Sequence, residues 1–204
     1  GGLFENNSIN KIAKLKKKLN FRIHNYFPPP KKPFVLNLAS LDESVHYASM
    51  ENIEKSLILS NKLGSNKFAL HAGFYIDIKN SEIGKKIDKR SLFDESESKQ
   101  RFYESINRVK DISNDVEIYI ENNVYSEANS RNYGEDNPFM LTDYDAYLEM
   151  RESIDFKLLL DVAHLKVSCN TLGLNFSDEF HKTIEVSDHI HISDNDGIAD
   201  TNFP

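Results

Sequence analysis

The stretch VEIYIENN, residues 116–123, decides the fold, because its apolar and polar residues alternate and end at a carboxylate. Val116, Ile118 and Ile120 share one face of an extended chain, and the residues between them share the other face with Glu121. The apolar face suits a layer of helices, and the polar face suits the interior of a barrel. We therefore predict a strand over 116–121 that delivers Glu121 to the mouth of a parallel barrel.

Four other short apolar runs also end in residues that can bind a metal. They are FRIHNY with His24, FALHAG with His71, KLLLDVAH with Asp161 and His164, and HIHISDND with His191. Successive runs lie roughly 30 to 50 residues apart, about the length of one strand–helix–strand unit. Since a parallel barrel collects the carboxyl ends of its strands at one mouth, the spacing predicts that these residues meet there.

Helical patterns separate these runs and complete an α/β alternation. The predicted helices cover about 9–19, 48–63, 95–112, 142–153 and 177–186, and the predicted strands cover 21–27, 67–72, 116–121, 156–162 and 188–193. Thr142 and Asp145 form a capping-box pattern at the start of one helix, and 125–138 is predicted to be a loop. Ile190 and Ile192 are predicted to face the helix layer. The alternation predicts a parallel sheet with helices outside it.

Composition is that of an ordinary soluble domain. The 204 residues are 39% hydrophobic and 28% charged, and no apolar run approaches the roughly 20 residues that cross a bilayer. Cys169 is the single cysteine, which excludes an internal disulfide and predicts a cytoplasmic location. We expect one domain over residues 1–204 and no membrane partner. Nothing in the sequence indicates the oligomeric state.

The net charge of −7 is unevenly distributed. Residues 1–40 contain eight Lys or Arg and one acidic residue, whereas the rest of the chain contains 17 bases and 31 acids. Duplex DNA binds mainly through its phosphates, so an acidic body disfavours nucleic acid as a partner.

The candidate ligands are imidazoles and carboxylates, and this mixture suits a divalent metal ion. His71, Glu121, Asp161 and His191 supply a possible ligand set, with His24 as a fifth member. Zn²⁺ accepts both ligand types, and Mn²⁺ and Mg²⁺ lean toward carboxylates. The expected cofactor is Zn²⁺, Mn²⁺ or Co²⁺, with Mg²⁺ as a weaker alternative.

Several of these residues lie in short motifs in a fixed order. The motifs are Asn37-Leu38-Ala39-Ser40 after His24, His71-Ala72-Gly73, Ile120-Glu121-Asn122-Asn123, Asp161-Val162-Ala163-His164, and His191-Ile192-Ser193-Asp194 followed by Asp200. Over nearly its whole length the chain resembles the superfamily of xylose isomerase-like TIM barrels, which includes sugar phosphate isomerases and epimerases and endonuclease IV (AP endonuclease family 2). The resemblance implies a TIM (β/α) barrel that is incomplete, with strands missing at the N- and C-terminal ends.

The resemblance implies, as the leading hypothesis, a metal-dependent sugar or sugar-phosphate isomerase or epimerase. In such enzymes the metal holds two neighbouring sugar oxygens while carboxylates remove and return a carbon-bound proton. It implies Glu121 and His164 as catalytic residues, Glu121 also being a metal ligand. It further implies that the substrate, a small sugar or sugar phosphate, is bound by His164, Asn123, Asp194 and Asp200.

Two alternatives stay open at this point. The first is an endonuclease IV-like phosphodiesterase that acts on abasic DNA with a zinc cluster, in which His24 and His71 join Glu121 on the first ion. Asn202 stands where that pattern has a histidine, which weakens a third metal site at His164 and Asp200. The second is a catalytically inactive barrel that serves as a binding module, and it is favoured by Asn202 and by the absence of a final-strand glutamate before Pro204.

Overall fold

A sheet of five parallel strands forms the centre of the molecule, in the order β1–β2–β3–β4–β5. The structure is a computed structural model that describes residues 8–16 and 18–201. The strands are β1 Ile23–His24, β2 Lys67–His71, β3 Glu117–Glu121, β4 Lys157–Asp161 and β5 Ser187–His191. Their order in the sheet equals their order in the chain, as repeated strand–helix units produce.

Helices connect the strands, which confirms the predicted α/β alternation. They are α1 Ser8–Lys14, α2 Glu43–Leu63, α3 Glu95–Ile112, α4 Glu127–Tyr133, α5 Tyr144–Ser153, α6 Val162–Leu172 and α7 Phe176–Glu185, with a short 3₁₀ helix at Asn80–Glu82. Among the described residues, no helix has both the length and the apolar character needed to cross a bilayer.

The two faces of the sheet differ as the period-two pattern predicts. Ile118 and Ile120 of β3 lie in the main hydrophobic core together with Phe102 and Ile106 of α3. On the opposite face Ala69, Tyr119 and Leu159 form a separate buried cluster inside the curved sheet. Because side chains alternate along a strand, the residues that end β2, β3 and β4 continue this inner face.

The register of the strands brings the predicted ligands level with one another. His71 at the end of β2 pairs with Glu121 at the end of β3. Asp161 at the end of β4 pairs with His191 at the end of β5. The sequence places these residues at strand ends, and the parallel register turns that placement into spatial proximity.

Capping residues set the limits of the helices. Asp42 accepts hydrogen bonds from the main-chain N–H groups of Ser44 and Val45 at the start of α2, and Gly64, with φ of 71°, ends that helix. The predicted cap of α5 was wrong by one residue: Asp143, not Thr142, accepts a hydrogen bond from the Ala146 N–H. The Thr142 hydroxyl instead donates to the Asp143 carboxylate at 3.1 Å.

Further segments differ from the sequence prediction: the strand predicted over 21–27 is reduced to Ile23–His24, and the helix predicted over about 9–19 ends at Lys14. Residues 127–133 of the predicted loop form α4, and α6 begins directly at the end of β4 with Asp161 as its cap. Ile190 is 37% exposed and Ile192 is 82% exposed. The prediction that both residues are covered by the helix layer was therefore wrong. The physical reason is that β5 is an edge strand of the described sheet, and Ile192 lies beyond its end.

The described residues form a partial TIM barrel, with five parallel strands where a complete barrel has eight. The prediction of an incomplete barrel is confirmed. The carboxyl ends of all five strands point to the same side, and the candidate site lies there.

Candidate functional site

Glu121 is the centre of the site. Its side chain is 3% exposed and lies at the end of β3, between histidines from three other strands. His24 Nε2 is 2.5 Å from Glu121 Oε2, His71 Nδ1 is 3.4 Å from the same oxygen, and His191 Nδ1 is 3.1 Å from Oε1. Both carboxylate oxygens therefore face imidazole nitrogens.

These side chains form two overlapping groups that share the glutamate. One consists of His24, Glu121 and His191, and the other of His71, Glu121 and His164. In each group the possible ligand atoms lie within 4.8 Å of one another. Imidazole nitrogen and carboxylate oxygen are ligands that Zn²⁺, Mn²⁺ and Co²⁺ accept. The donor set thus has the chemistry and the spacing of a site for a divalent cation.

Asp161 lies beside these groups and has two roles in the structure. Its Oδ1 accepts a hydrogen bond of 2.9 Å from the His164 N–H and caps α6. Its Oδ2 is 3.9 Å from His191 Nδ1. The helix cap therefore fixes the carboxylate in a position where its second oxygen faces the site.

His164 connects the metal-ligating groups to Asp200. Its Nδ1 donates to the main-chain oxygen of Asn122 at 2.8 Å, and its Nε2 is 3.4 Å from Asp200 Oδ2. The ring is buried, and its centroid is 5.8 Å from that of His71. The structure thus brings His164 and Asp200 together next to the histidine cluster.

The protonation of the cluster follows from its burial and its charges. Burial opposes ionisation of Glu121, but the neighbouring His71 ring and hydrogen bonds from His191 and His24 hold the pKa of its carboxyl well below its usual range. Burial lowers the pKa of His71 to about 4, so this imidazole is neutral at pH 7 and free to ligate through nitrogen.

His164 and His191 behave in the opposite way. Burial opposes protonation of His164, but its hydrogen bond with Asp200 and the charges of Asp161 and Glu121 raise the pKa of its ring to about 9. The hydrogen bond to Glu121 raises the pKa of His191. In the absence of a metal, the proton on His164 offsets part of the charge of the neighbouring carboxylates.

Two predicted substrate-binding residues have other partners in the structure. Asp194 is exposed, and its carboxylate is 3.1 Å from Lys166 Nζ rather than beside the Glu121 cluster. Asn123 is buried next to the cluster, and its amide nitrogen donates to the main-chain oxygens of Ala72, Gly73 and Met140. Asn202 and Pro204, on which sequence arguments also depended, lie outside the described residues.

A cavity of about 380 Å³ opens beside His71, His164 and Asp200. Much of its wall is apolar, and the residues of this wall include Leu36, Phe74, Ile78, Ile83, Val124 and Phe139. Lys85 is the only lysine or arginine among the described lining residues. Ile78 and Ile83 were not predicted as site residues, because each is an apolar residue in the long connection between β2 and α3 and belongs to no periodic pattern.

A close backbone approach lies directly before Phe74 of this wall. A Cβ atom at Gly73 would lie 2.6 Å from the Ala39 Cβ and 2.9 Å from the Met140 sulfur. Only glycine fits between these two side chains, two residues after the end of the strand that carries His71.

Comparison with known proteins identifies the architecture. The family model described as "Xylose isomerase-like TIM barrel" matches residues 3–203. No curated protein sequence matches the chain at a significant level.

Solved structures share the fold at low sequence identity. A D-tagatose 3-epimerase-like protein has a TM-score of 0.68 and 18% identity, covering 97% of this chain and 66% of its own. A D-psicose 3-epimerase crystallised with D-fructose has a TM-score of 0.60 and 17% identity, covering 91% and 58%. Endonuclease IV from Thermus thermophilus has a TM-score of 0.55 and 13% identity, covering 95% and 61%. The chain therefore spans about three fifths to two thirds of the length of these proteins.

Proposed function

The chain belongs to the family of xylose isomerase-like TIM barrels, and on this basis we propose that it is a metal-dependent isomerase or epimerase of small sugars. The observation that carries the proposal is the buried Glu121 carboxylate, both oxygens of which face histidines from other strands. Epimerases of D-tagatose and D-psicose type are among the structures that share the fold. We propose the same class of substrate for this chain.

The metal site that we propose uses His24, His71, Glu121 and His191, with Asp161 beside them. A divalent ion bound there would supply the Lewis acidity that makes a carbon-bound proton next to two sugar oxygens removable. The neutral ring of His71 and the ionised carboxylate of Glu121 suit ligation without loss of a proton. The roles of the remaining residues follow from their positions.

Glu121 is proposed to hold the ion and to serve as one of the carboxylates that face the reacting carbon. His164 lines the cavity and, with its pKa raised to about 9, carries a proton on Nε2 at neutral pH. In the proposal this Nε2–H donates to a substrate hydroxyl, with Asp200 as the acceptor that orients the ring before substrate binds. The apolar wall excludes water from the reacting carbon.

The lining of the cavity favours an uncharged sugar over a sugar phosphate. A bound phosphate needs several cationic or N–H donors, and Arg is the residue that matches it best. The described lining contains only Lys85 as a lysine or arginine, together with the acidic Glu82 and Asp200. The apolar side chains of the wall instead offer contact to the carbon face of a neutral sugar.

The test is exchange of a carbon-bound proton. Protein loaded with Co²⁺ or Mn²⁺ is incubated in D₂O with D-tagatose, D-psicose or D-fructose, and deuterium incorporation at the carbon that epimerises is followed by NMR. We expect incorporation with the wild type and a loss of at least about 100-fold in His71→Ala, because this ring is proposed as a ligand. His46→Ala is the matched control, since His46 lies on α2 and binds Ser105 at 2.8 Å. Exchange that persists unchanged in His71→Ala contradicts the proposal.

Phosphodiester hydrolysis at abasic DNA is the second candidate. It is favoured by the fold shared with endonuclease IV and by the two groups of possible metal ligands that have Glu121 in common. The net charge of −7 counts against it. Nicking of a duplex that contains one abasic site, in the presence of Zn²⁺, decides between the two. Nicking that disappears in His71→Ala would establish the endonuclease. An inactive binding module, the third hypothesis, predicts that no metal binds stoichiometrically.

A further inference from the structure

Asn122 follows Glu121 directly and contacts the other half of the site. Its Oδ1 accepts a hydrogen bond of 2.7 Å from the Asp161 N–H, and its Nδ2 donates to the Asp161 main-chain oxygen at 3.1 Å. Asn122 is 4% exposed and Asp161 is 7% exposed, so water does not replace these bonds. One side chain therefore satisfies both main-chain groups of a proposed metal-site residue.

The register of the sheet explains why a side chain is needed at this position. The pairing of β3 with β4 ends where Glu121 lies opposite Leu159, followed by a bond of 3.4 Å from the Asn122 N–H to the Leu159 oxygen. Asp161 lies two residues further along β4, beyond the last pairing with β3. A primary amide has the same donor and acceptor as a peptide group, so Asn122 continues the ladder with its side chain.

The main chain of Asn122 makes a third contact, with His164. Its carbonyl oxygen accepts from His164 Nδ1 at 2.8 Å. Because a carbonyl oxygen only accepts, this bond places a proton on Nδ1 and directs Nε2 toward Asp200 and the cavity. The side chain of Asn122 thus holds the main chain of Asp161, whereas its carbonyl oxygen, which every residue type has, holds the ring of His164.

We infer that Asn122 is a positioning residue whose side chain holds Asp161 in register with Glu121. The inference rests on the proposed metal-dependent function and adds to it the element that keeps the two strand ends together. Partners that orient ligands in this way contribute about 10- to 100-fold to metal affinity. Ser and Ala at this position lack the paired donor and acceptor.

The test compares Asn122→Ala with Asn37→Ala. Asn37 is equally buried, donates to the Phe74 main-chain oxygen and accepts from the Ala39 and Phe74 N–H groups, so its replacement removes a similar set of bonds elsewhere. Co²⁺ is titrated into each protein and followed by its visible absorption. We expect a Kd raised about 10- to 100-fold in Asn122→Ala and unchanged in Asn37→Ala, while the metal-free Tm falls in both by about 5 °C.

A second readout does not depend on metal. We expect the Asp161 amide of the metal-free protein to be protected from hydrogen exchange in the wild type and in Asn37→Ala, and to lose this protection in Asn122→Ala, because this variant lacks the Oδ1 that accepts from the Asp161 N–H. Asn122→Ser, which leaves a hydroxyl beside the unpaired groups, serves as the second variant if Asn122→Ala does not fold, with the same expected result.

The outcomes separate the two proposals. A wild type that binds no Co²⁺ overturns the proposed metal site, and hydrogen exchange of the Asp161 amide then tests the role of Asn122 by itself. Equal Co²⁺ affinity or unchanged hydrogen exchange of the Asp161 amide in a folded Asn122 variant overturns the positioning role and leaves the metal site standing.

Discussion

The inner face of the sheet carries charged residues at both ends of the strands, and the two ends hold them in different ways. At the amino ends, Lys67 is 3.5 Å from Asp188, and Lys157 forms an ion pair with Glu117. At the carboxyl ends, Glu121 faces only imidazoles among its described charged contacts. The same strands thus carry lysine–carboxylate pairs at one end and histidine–carboxylate groups at the other.

The two ends of the strands differ in whether their carboxylates can exchange the charge that balances them. A lysine keeps its charge at neutral pH and completes a pair with a carboxylate, so the amino-end pairs need nothing further. The pKa of an imidazole is close to neutral pH, and its unprotonated nitrogen has a lone pair that can bind a metal. The charge of a neighbouring carboxylate is therefore balanced either by protons on the imidazoles or by a bound cation. Exposure differs as well: Asp188 is 61% exposed, whereas Glu121 is 3% exposed. Only the carboxyl end combines burial with exchangeable charge.

Among the proposed variants, Glu121→Gln is expected to have the largest effect on Co²⁺ affinity. The amide keeps the size of the side chain but removes the charge that both groups of candidate ligands share. We expect Co²⁺ affinity to fall by about 1,000-fold, or ~4 kcal/mol. Isothermal titration measures it.

Glu117→Gln is the matched control, because it lies on the same face of β3 at the other end. Its partner is Lys157, and we expect the Co²⁺ affinity of this variant to equal that of the wild type. Similar losses in both variants would mean that the ion binds by general electrostatic attraction to the inner face rather than at the carboxyl end.

The pH dependence of stability tests whether histidine protonation balances the carboxylates at the carboxyl ends of the strands. The folded pKa of His164 is raised to about 9 against an unfolded value of about 6.5. Its contribution to stability is therefore fully present below pH 6.5 and is lost as the pH rises through 9. We expect the free energy of unfolding of the metal-free protein to fall by about 3 kcal/mol over this range, measured by urea denaturation.

The variant His164→Gln should remove most of this pH dependence, whereas the exposed His181→Gln should keep it. Parallel profiles for His164→Gln and the wild type would show that other groups cause the loss. His71 should act in the opposite direction, because its pKa is lowered to about 4 in the folded protein. As the pH falls from 6.5 toward 4, this histidine is protonated only in the unfolded chain, and the free energy of unfolding decreases.

The sequence alone was sufficient to predict β2 to β5 and the residues at their ends, whereas β1 is much shorter than predicted. The alternation in VEIYIE and the apolar runs around His71, Asp161 and His191 are local patterns, and the parallel arrangement then places their ends at one mouth. Resemblance to a family supplied the proposed chemistry. The predictions of the strands and of their end residues depend on short-range periodicity, which is visible in a single sequence.

Other features depend on information that periodicity does not contain. The helix α6 begins without a loop because Asp161 both ends β4 and caps the helix, so the apolar run concealed the boundary. The role of Asn122 depends on where the β3–β4 ladder ends, which is a property of the register between strands. Likewise, α4 lies in a polar segment in which the Asn129 side chain accepts from the Ile87 N–H, a contact across 42 residues.

Asp188→Asn tests the amino end and has the smallest expected effect. It removes the carboxylate that lies 3.5 Å from Lys67 Nζ and 3.9 Å from Lys157 Nζ. Because this carboxylate is largely exposed, water screens both pairs, and we expect a loss of less than about 1 kcal/mol in the free energy of unfolding. The Lys67 ammonium keeps its contact with the Tyr119 ring, 4.5 Å from the centroid, which limits the loss further. Co²⁺ affinity should stay at the wild-type value, since no described contact links Asp188 to Glu121; a change in affinity would show that the two ends of the inner face are coupled.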